Sequence, residues 1–150
     1  QSGGIDRAIN ERIIAELNRE EPHRLGEDFT YKRPHGFILD GQGTTGITTW
    51  QRLYELVLKR LWDRDSARFR GLCGHADFTT SRGNHSFTND PARLRKALQI
   101  SDGVFAESNL SANGIRDMLR RALTAFSIPA DDLLIFLRQD RDAARDADAA

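Results

Sequence analysis

The 150-residue sequence predicts an α+β domain with about four or five helices packed on a small antiparallel sheet. Three observations carry that expectation. Apolar residues recur at helical spacing over 50–62 and 112–126. The turn dipeptide Asp40-Gly41 separates an apolar run from a Thr-rich, β-branched one, and a further strand-like segment over 103–107 is centred on Val104 and Phe105.

Taken in order, Ile5, Ile9, Ile13, Ile14 and Leu17 recur near every fourth residue, while Asp6, Arg7, Asn10, Glu11, Arg12 and Glu16 fill the other faces. This is an amphipathic helix with a narrow stripe that stops before Pro22. The stripe has two uses: folding back on the domain, or pairing with its own copy in a homodimer. The stretch 20–28, charged and broken by Pro and Gly, reads as a linker. Residues 1–28 are thus expected to be helix and linker, 29–138 the compact domain, and 139–150 a charged flexible tail.

The compact unit opens with a hairpin: Phe37, Ile38 and Leu39, the Asp40-Gly41 turn, and a return over 43–49 that includes Ile47. The strongest helix follows, with Trp50, Leu53, Tyr54, Val57, Leu58, Leu61 and Trp62 on one face. Both Trp residues read as core, and Thr48 with Gln51 has capping-box spacing. A shorter helix is expected around 66–72. From 74 to 90 the chain is polar, broken by Phe78 and Phe87, and reads either as a functional loop with short edge strands or as a plain mobile loop. Pro91, capped by Asp90, predicts a helix over 92–98. Ser111 caps the last long helix, whose apolar face is Ile115, Met118, Leu119, Ala122, Leu123 and Phe126, and Ile128-Pro129 ends it. The apolar run 133–137 is a buried strand or a short buried helix, which five residues of periodicity do not decide. No internal repeat of about 20–50 residues points to a solenoid.

A net charge of zero conceals a segregation: residues 29–138 hold 16 Lys and Arg against 11 Asp and Glu, net +5, and the flanks hold 6 against 11, net −5. A basic middle points toward a polyanionic partner. The single Cys73 excludes an internal disulfide framework, and no apolar run approaches the ~18 residues of a membrane span. With no secretory pattern at the start, the expected protein is soluble and cytoplasmic, without a membrane partner.

Sites for chemistry are weak. Cys73, His75 and His85 offer three zinc ligands without a recognised spacing or an obvious fourth, and Cys73 after Leu72 fits a small buried hydrophobe better than a nucleophile. Asp77 near His75 lacks the paired acids and Lys of a metal nuclease, and the glycines at 41, 43 and 46 do not form a phosphate loop. No metal, cofactor or catalytic residue is assigned. Three clusters suit nucleic-acid binding: Lys32, Arg33 and His35 around the stiff Pro34; Arg82, Asn84 and His85 in the polar loop; and Asn109, Ser111, Asn113 and Arg116 at the start of the last helix. The plainer reading makes Ser111 only a helix cap and Arg116, Arg120 and Arg121 a wet face.

The strings Tyr31-Lys32-Arg33-Pro34-x-x-Phe37, Trp50-x-x-Leu53-Tyr54 and Asn109-Leu110-Ser111-Ala112-Asn113 resemble a small domain of bacterial restriction or defence-type proteins, usually found there as an appendage. The resemblance covers 31–137 and implies an accessory, targeting or regulatory module beside a larger effector protein or domain, with no catalytic residues to carry over. The expected function is a non-catalytic nucleic-acid-binding accessory domain, with DNA as the leading ligand. The alternative is a protein-interaction or oligomerisation module using the N-terminal helix, and an enzyme with an unrecognised centre ranks third.

Overall fold

The computed structural model describes residues 2–149 as an α+β fold of five helices and two small antiparallel sheets. The N-terminal helix α1 spans Ser2–Leu17. Strands β1 (Pro34–Leu39) and β2 (Gln42–Thr45) form the expected hairpin, in which Leu39 pairs with Gln42 and both Asp40 (φ 53°) and Gly41 (φ 76°) are left-handed. Two positive φ angles in a two-residue loop make a type I′ turn, which explains the Asp-Gly choice. Strand β6 (Leu133–Leu137) settles the apolar run as a strand, antiparallel to β1, so the first sheet has the order β2-β1-β6.

This sheet is covered on both faces. Phe37, Leu39, Leu133, Ile135 and Leu137 join the main core with α2 (Trp50–Arg64) and α4 (Ala112–Ala125), while Ile38 and Phe136 meet Leu17, Ile13 and Ile14 of α1. Continuous apolar strands are what two-sided burial requires. The stripe of α1 therefore covers the sheet of its own chain; Ile9 is 45% exposed, and the side chain of Ile5 lies outside the described residues. Asn10 fixes the register of the helix, donating to the Gly41 carbonyl (3.0 Å) and accepting from the Gly43 N–H (2.8 Å).

Residues 20–28 do more than connect. His23 exchanges two backbone hydrogen bonds with Ile135, each 2.8 Å, and so shields the free edge of β6, while Leu25 and then Phe29 enter the core. The segment expected as a charged flexible tail, 139–150, is helical over its described residues as part of α5 (Arg138–Ala149).

The second sheet, β3-β5-β4, is built from β3 (Phe87–Thr88), β4 (Ala97–Ser101) and β5 (Val104–Glu107). The strand near Phe105 thus belongs to a sheet of its own rather than to the hairpin's. The helix expected over 92–98 is also corrected: a 3-10 turn covers only Pro91–Arg93, and β4 follows. The Glu107 carboxylate accepts the N–H groups of Arg95 (2.9 Å) and Lys96 (3.0 Å), and Ala97 onward pairs with β5 around the Asp102-Gly103 turn. The cap of α2 shifts by one residue, since Thr49 accepts from the Arg52 N–H. Asp65 caps α3 (Ser66–Arg70) in the same way, by accepting from the Arg68 N–H.

Two glycines set the approach of α1. A Cβ on Gly36 would lie 2.7 Å from the Thr44 carbonyl oxygen and 3.0 Å from Leu17 Cδ2, and one on Gly43 would lie 2.9 Å from Ile13 Cγ2. Gly36→Ala is expected to destabilise the fold by about 1–3 kcal/mol, because backbone and helix must both shift; urea denaturation of the two proteins measures it.

Candidate nucleic-acid interface

Most basic side chains of the middle region are internal staples. Arg60 donates to the carbonyls of Leu39 (3.3 Å) and Gln42 (3.0 Å) and lies over the Phe37 ring, and Arg64 pairs with Asp40 at 2.9 Å. Arg52 and Lys59 share Glu55, Arg68 pairs with Asp65, and Arg120 donates to the Leu25 carbonyl. Among the described residues, no hydrogen bond, ion pair or ring contact holds the side chains of Arg33, Arg82, Arg95, Lys96, Arg121 or Arg138.

The polar loop folds tightly. A 3-10 turn at Ala76–Phe78 buries Phe78 against Phe87, with ring centroids 5.2 Å apart. The Thr80 N–H donates to the Asn84 carbonyl (2.8 Å), Thr79 bridges to His85, and the loop tip turns at Gly83, with φ 82°. Beside this loop runs a groove of about 670 Å³, lined by Thr80, Asn84, His85 and Ser86 on one side and by Arg93, Arg95, Asn109 and Arg121 on others. Phe78, Leu110 and Met118 form its apolar part.

The three arginines and Glu107 give the groove a positive balance. Burial opposes ionisation of Glu107, but hydrogen bonds from the N–H groups of Arg95, Asn109, Lys96 and Ser108 outweigh it and hold its pKa below the usual range. Its charge thus fixes the groove wall. The side-chain amides of Asn84 and Asn109 have no bonded partner among the described residues, which leaves a donor and an acceptor on each for a ligand. Arg82 sits exposed at the tip of the same loop.

The other expected site residues divide differently. His35 is buried, with Nε2 2.6 Å from Glu20 Oε1, in a pair whose side chains are 8% and 10% exposed. Asn113 accepts from the Phe29 N–H (2.8 Å) and donates to Asp28 (2.9 Å) and Thr30 (3.1 Å). Arg116 donates to the Glu27 carbonyl (2.7 Å) and pairs with Asp117, and Ser111 caps α4 by accepting from the Gly114 N–H (3.0 Å). Each of these four thus has at least one polar atom bonded within the chain, a role in the fold that the sequence reading offered for Ser111 alone. Lys32 and Arg33 stay at the surface, Lys32 close to Glu27 and Asp28.

Residues around 31–33, the start of α2 and residues 109–113 meet at one corner. The Trp50 indole donates to the Lys32 carbonyl (2.7 Å), Gln51 donates to the Leu110 carbonyl (3.2 Å), and Trp50 packs on Phe29 with centroids 4.7 Å apart. Asn113 then ties residues 28–30 to the start of α4. The corner holds a turn in which the Lys32 N–H donates to the Phe29 carbonyl (3.0 Å) and Tyr31 takes φ 62°.

Metal and nucleophile chemistry gains little from this arrangement. Cys73, His75 and His85 do not converge; among the described residues the candidate cluster is Glu21, His23 and Asp140. There, His23 Nδ1 is 2.7 Å from Glu27 and Nε2 2.6 Å from Asp140, so each ring nitrogen already faces a carboxylate. Burial pushes the Cys73 thiol up, with Arg70 offsetting part of it.

No protein-family model matches the chain, and no curated protein or solved structure matches it. No helix among the described residues is long and apolar enough to cross a membrane.

Two expectations follow from these networks. Asn113→Ala strands the Phe29 N–H and is expected to lower stability by about 1–3 kcal/mol, measured by chemical denaturation. The second concerns pH. Burial works against protonation of His23, yet hydrogen bonds and charges from Glu27 and Asp140 prevail and raise its pKa above the ordinary 6.5. Burial likewise works against Glu27, and the bonds from His23 and the Arg24 N–H lower its pKa below 4.5. A raised His pKa stabilises fully below 6.5 and is lost as pH rises through the folded value. A lowered Glu pKa stabilises fully above 4.5 and is lost as pH falls through the folded value. Denaturation as a function of pH is expected to show stability declining above 6.5, with His23→Gln flattening that limb.

Proposed function

We propose that this chain is a non-catalytic nucleic-acid-binding domain, with DNA as the leading ligand, that acts as a targeting accessory of a larger bacterial restriction or defence-type protein. The observation that carries this reading is the groove beside the 74–90 loop, whose lining residues Arg95, Arg121, Asn84 and Asn109 have side chains without a bonded partner among the described residues. Unpaired guanidinium groups suit phosphate oxygens, and side-chain amides suit base edges. Arg82 and Lys96, also unpartnered, extend the basic surface next to the groove in sequence. The link to defence proteins rests on the resemblance carried by the strings at 31–37, 50–54 and 109–113. Oligomerisation through the N-terminal helix has no comparable support, because Ile13, Ile14 and Leu17 lie against the sheet of the same chain.

Fluorescence anisotropy of labelled DNA and RNA across a salt series tests the reading. Affinity is expected to fall steeply between ~50 and ~200 mM salt, and the paired change Arg95→Ala with Arg121→Ala to weaken binding and reduce the salt slope by about 1 for each phosphate no longer neutralised. Absence of binding at low salt, or binding that the paired change leaves intact, overturns it.

A further inference from the structure

We infer that Tyr31 is a stacking platform for an unpaired base, so that the nucleic acid taken by this domain is single-stranded; the inference rests on the proposed nucleic-acid reading and narrows its ligand class. Tyr31 is 101% exposed, whereas the next most exposed large apolar side chain among the described residues, Ile9, is 45% exposed. Its side chain makes no hydrogen bond or ring contact among the described residues, and its backbone occupies a left-handed conformation, φ 62°, that bulky side chains rarely adopt. A turn that only had to reverse the chain would be served better by glycine at this position.

The turn is held from every side. Asp28 Oδ1 accepts from the N–H (3.0 Å) and hydroxyl (2.6 Å) of Thr30 and from the Asn113 amide; Asn113 also bonds the Phe29 N–H, and Trp50 anchors the Lys32 carbonyl. The corner thus fixes the chain on both sides of Tyr31 and leaves the ring in water. Strain that the surroundings over-determine is characteristic of functional positions.

The charges around the ring define what it meets. Lys32 and Arg33 follow it directly, and the Arg33 carbonyl accepts from the Arg138 N–H at 2.8 Å, which brings a second unpartnered guanidinium residue to the same edge. The nearby carboxylates are engaged: Asp28 with Thr30 and Asn113, Glu27 with His23 and the Arg24 N–H. An exposed aromatic ring next to cations is the combination that binds single strands, with bases stacking on the ring and phosphates meeting the charges. In a duplex the base faces are already stacked, so a projecting ring has access only to unpaired bases. Asn113, which holds this turn, and Asn109, which lines the groove, are four residues apart, at most about 14 Å of chain.

The test compares a labelled single strand, the duplex of the same sequence and an abasic strand of the same length, each titrated with the wild-type chain, Tyr31→Leu, Tyr31→Phe and the paired Arg95 and Arg121 variant. Wild type is expected to prefer the single strand. Tyr31→Leu should weaken single-strand binding by about 5- to 150-fold and leave abasic-strand and duplex binding unchanged, while Tyr31→Phe keeps wild-type affinity. The Tyr31 side chain is fully exposed, so the thermal midpoint of each Tyr31 variant should match wild type. Salt-dependent binding that needs the two arginines but not Tyr31, or that favours duplex, overturns this inference and leaves the nucleic-acid reading standing. Failure to bind any of the three nucleic acids overturns both.

Discussion

Burial of β1 on both of its faces is the constraint from which the rest of the architecture follows. Every residue from Pro34 to Leu39 is buried. Alternate side chains must therefore find apolar cover on opposite sides, with the α2 and α4 core on one and α1 on the other. Removal of α1 would leave Ile38 and Phe136 in water. That need gives the N-terminal helix a role within the domain and accounts for Gly36 and Gly43 where helix and sheet approach most closely. It also places His35 in a dry position, where Glu20 supplies the polar partner that burial demands.

A second consequence concerns charge. The basic excess of the middle region divides into arginines bonded within the fold, such as Arg60, Arg64 and Arg116, and cations that no bond among the described residues engages. Arg95 and Arg121 of the second group meet at the groove from distant parts of the chain, β4's approach and α4. The first sheet thus provides rigidity, and the second sheet with its preceding loop provides the exposed polar surface. Long polar loops on a rigid scaffold are a common location for binding residues.

The elements with strong local signals were legible in the sequence: the Asp40-Gly41 hairpin, the α2 stripe and the Ser111-capped α4 all form as expected. The Asp90-Pro91 cap suggested a helix over 92–98, where a 3-10 turn and then β4 form. The deciding interaction is nonlocal, because Glu107 takes the N–H groups of Arg95 and Lys96 across the β4–β5 pair. Strand and helix were indistinguishable over 133–137 until β1 supplied a partner. At the site, the 74–90 loop and Asn84, His85 and Asn109 were readable as candidates. Arg95 was obscured by the helix expected around it, and Arg121 by its position on a face that a solvated helix would also show. Spacing alone does not reveal which polar side chains bond inward. His35, Asn113 and Arg116 each have an internal partner that the sequence reading did not anticipate.

Everything proposed for this domain turns on whether nucleic acid docks in the groove between the 74–90 loop and the start of α4. Amide chemical-shift mapping of the isotopically labelled chain, titrated with a short oligonucleotide at low salt, decides it. Shifts are expected to concentrate at Thr80, Asn84, His85, Arg95, Asn109 and their chain neighbours, with the α1 face of the sheet silent. Shifts centred on α1 and β2, or an unchanged spectrum at saturating oligonucleotide, would contradict docking at the groove.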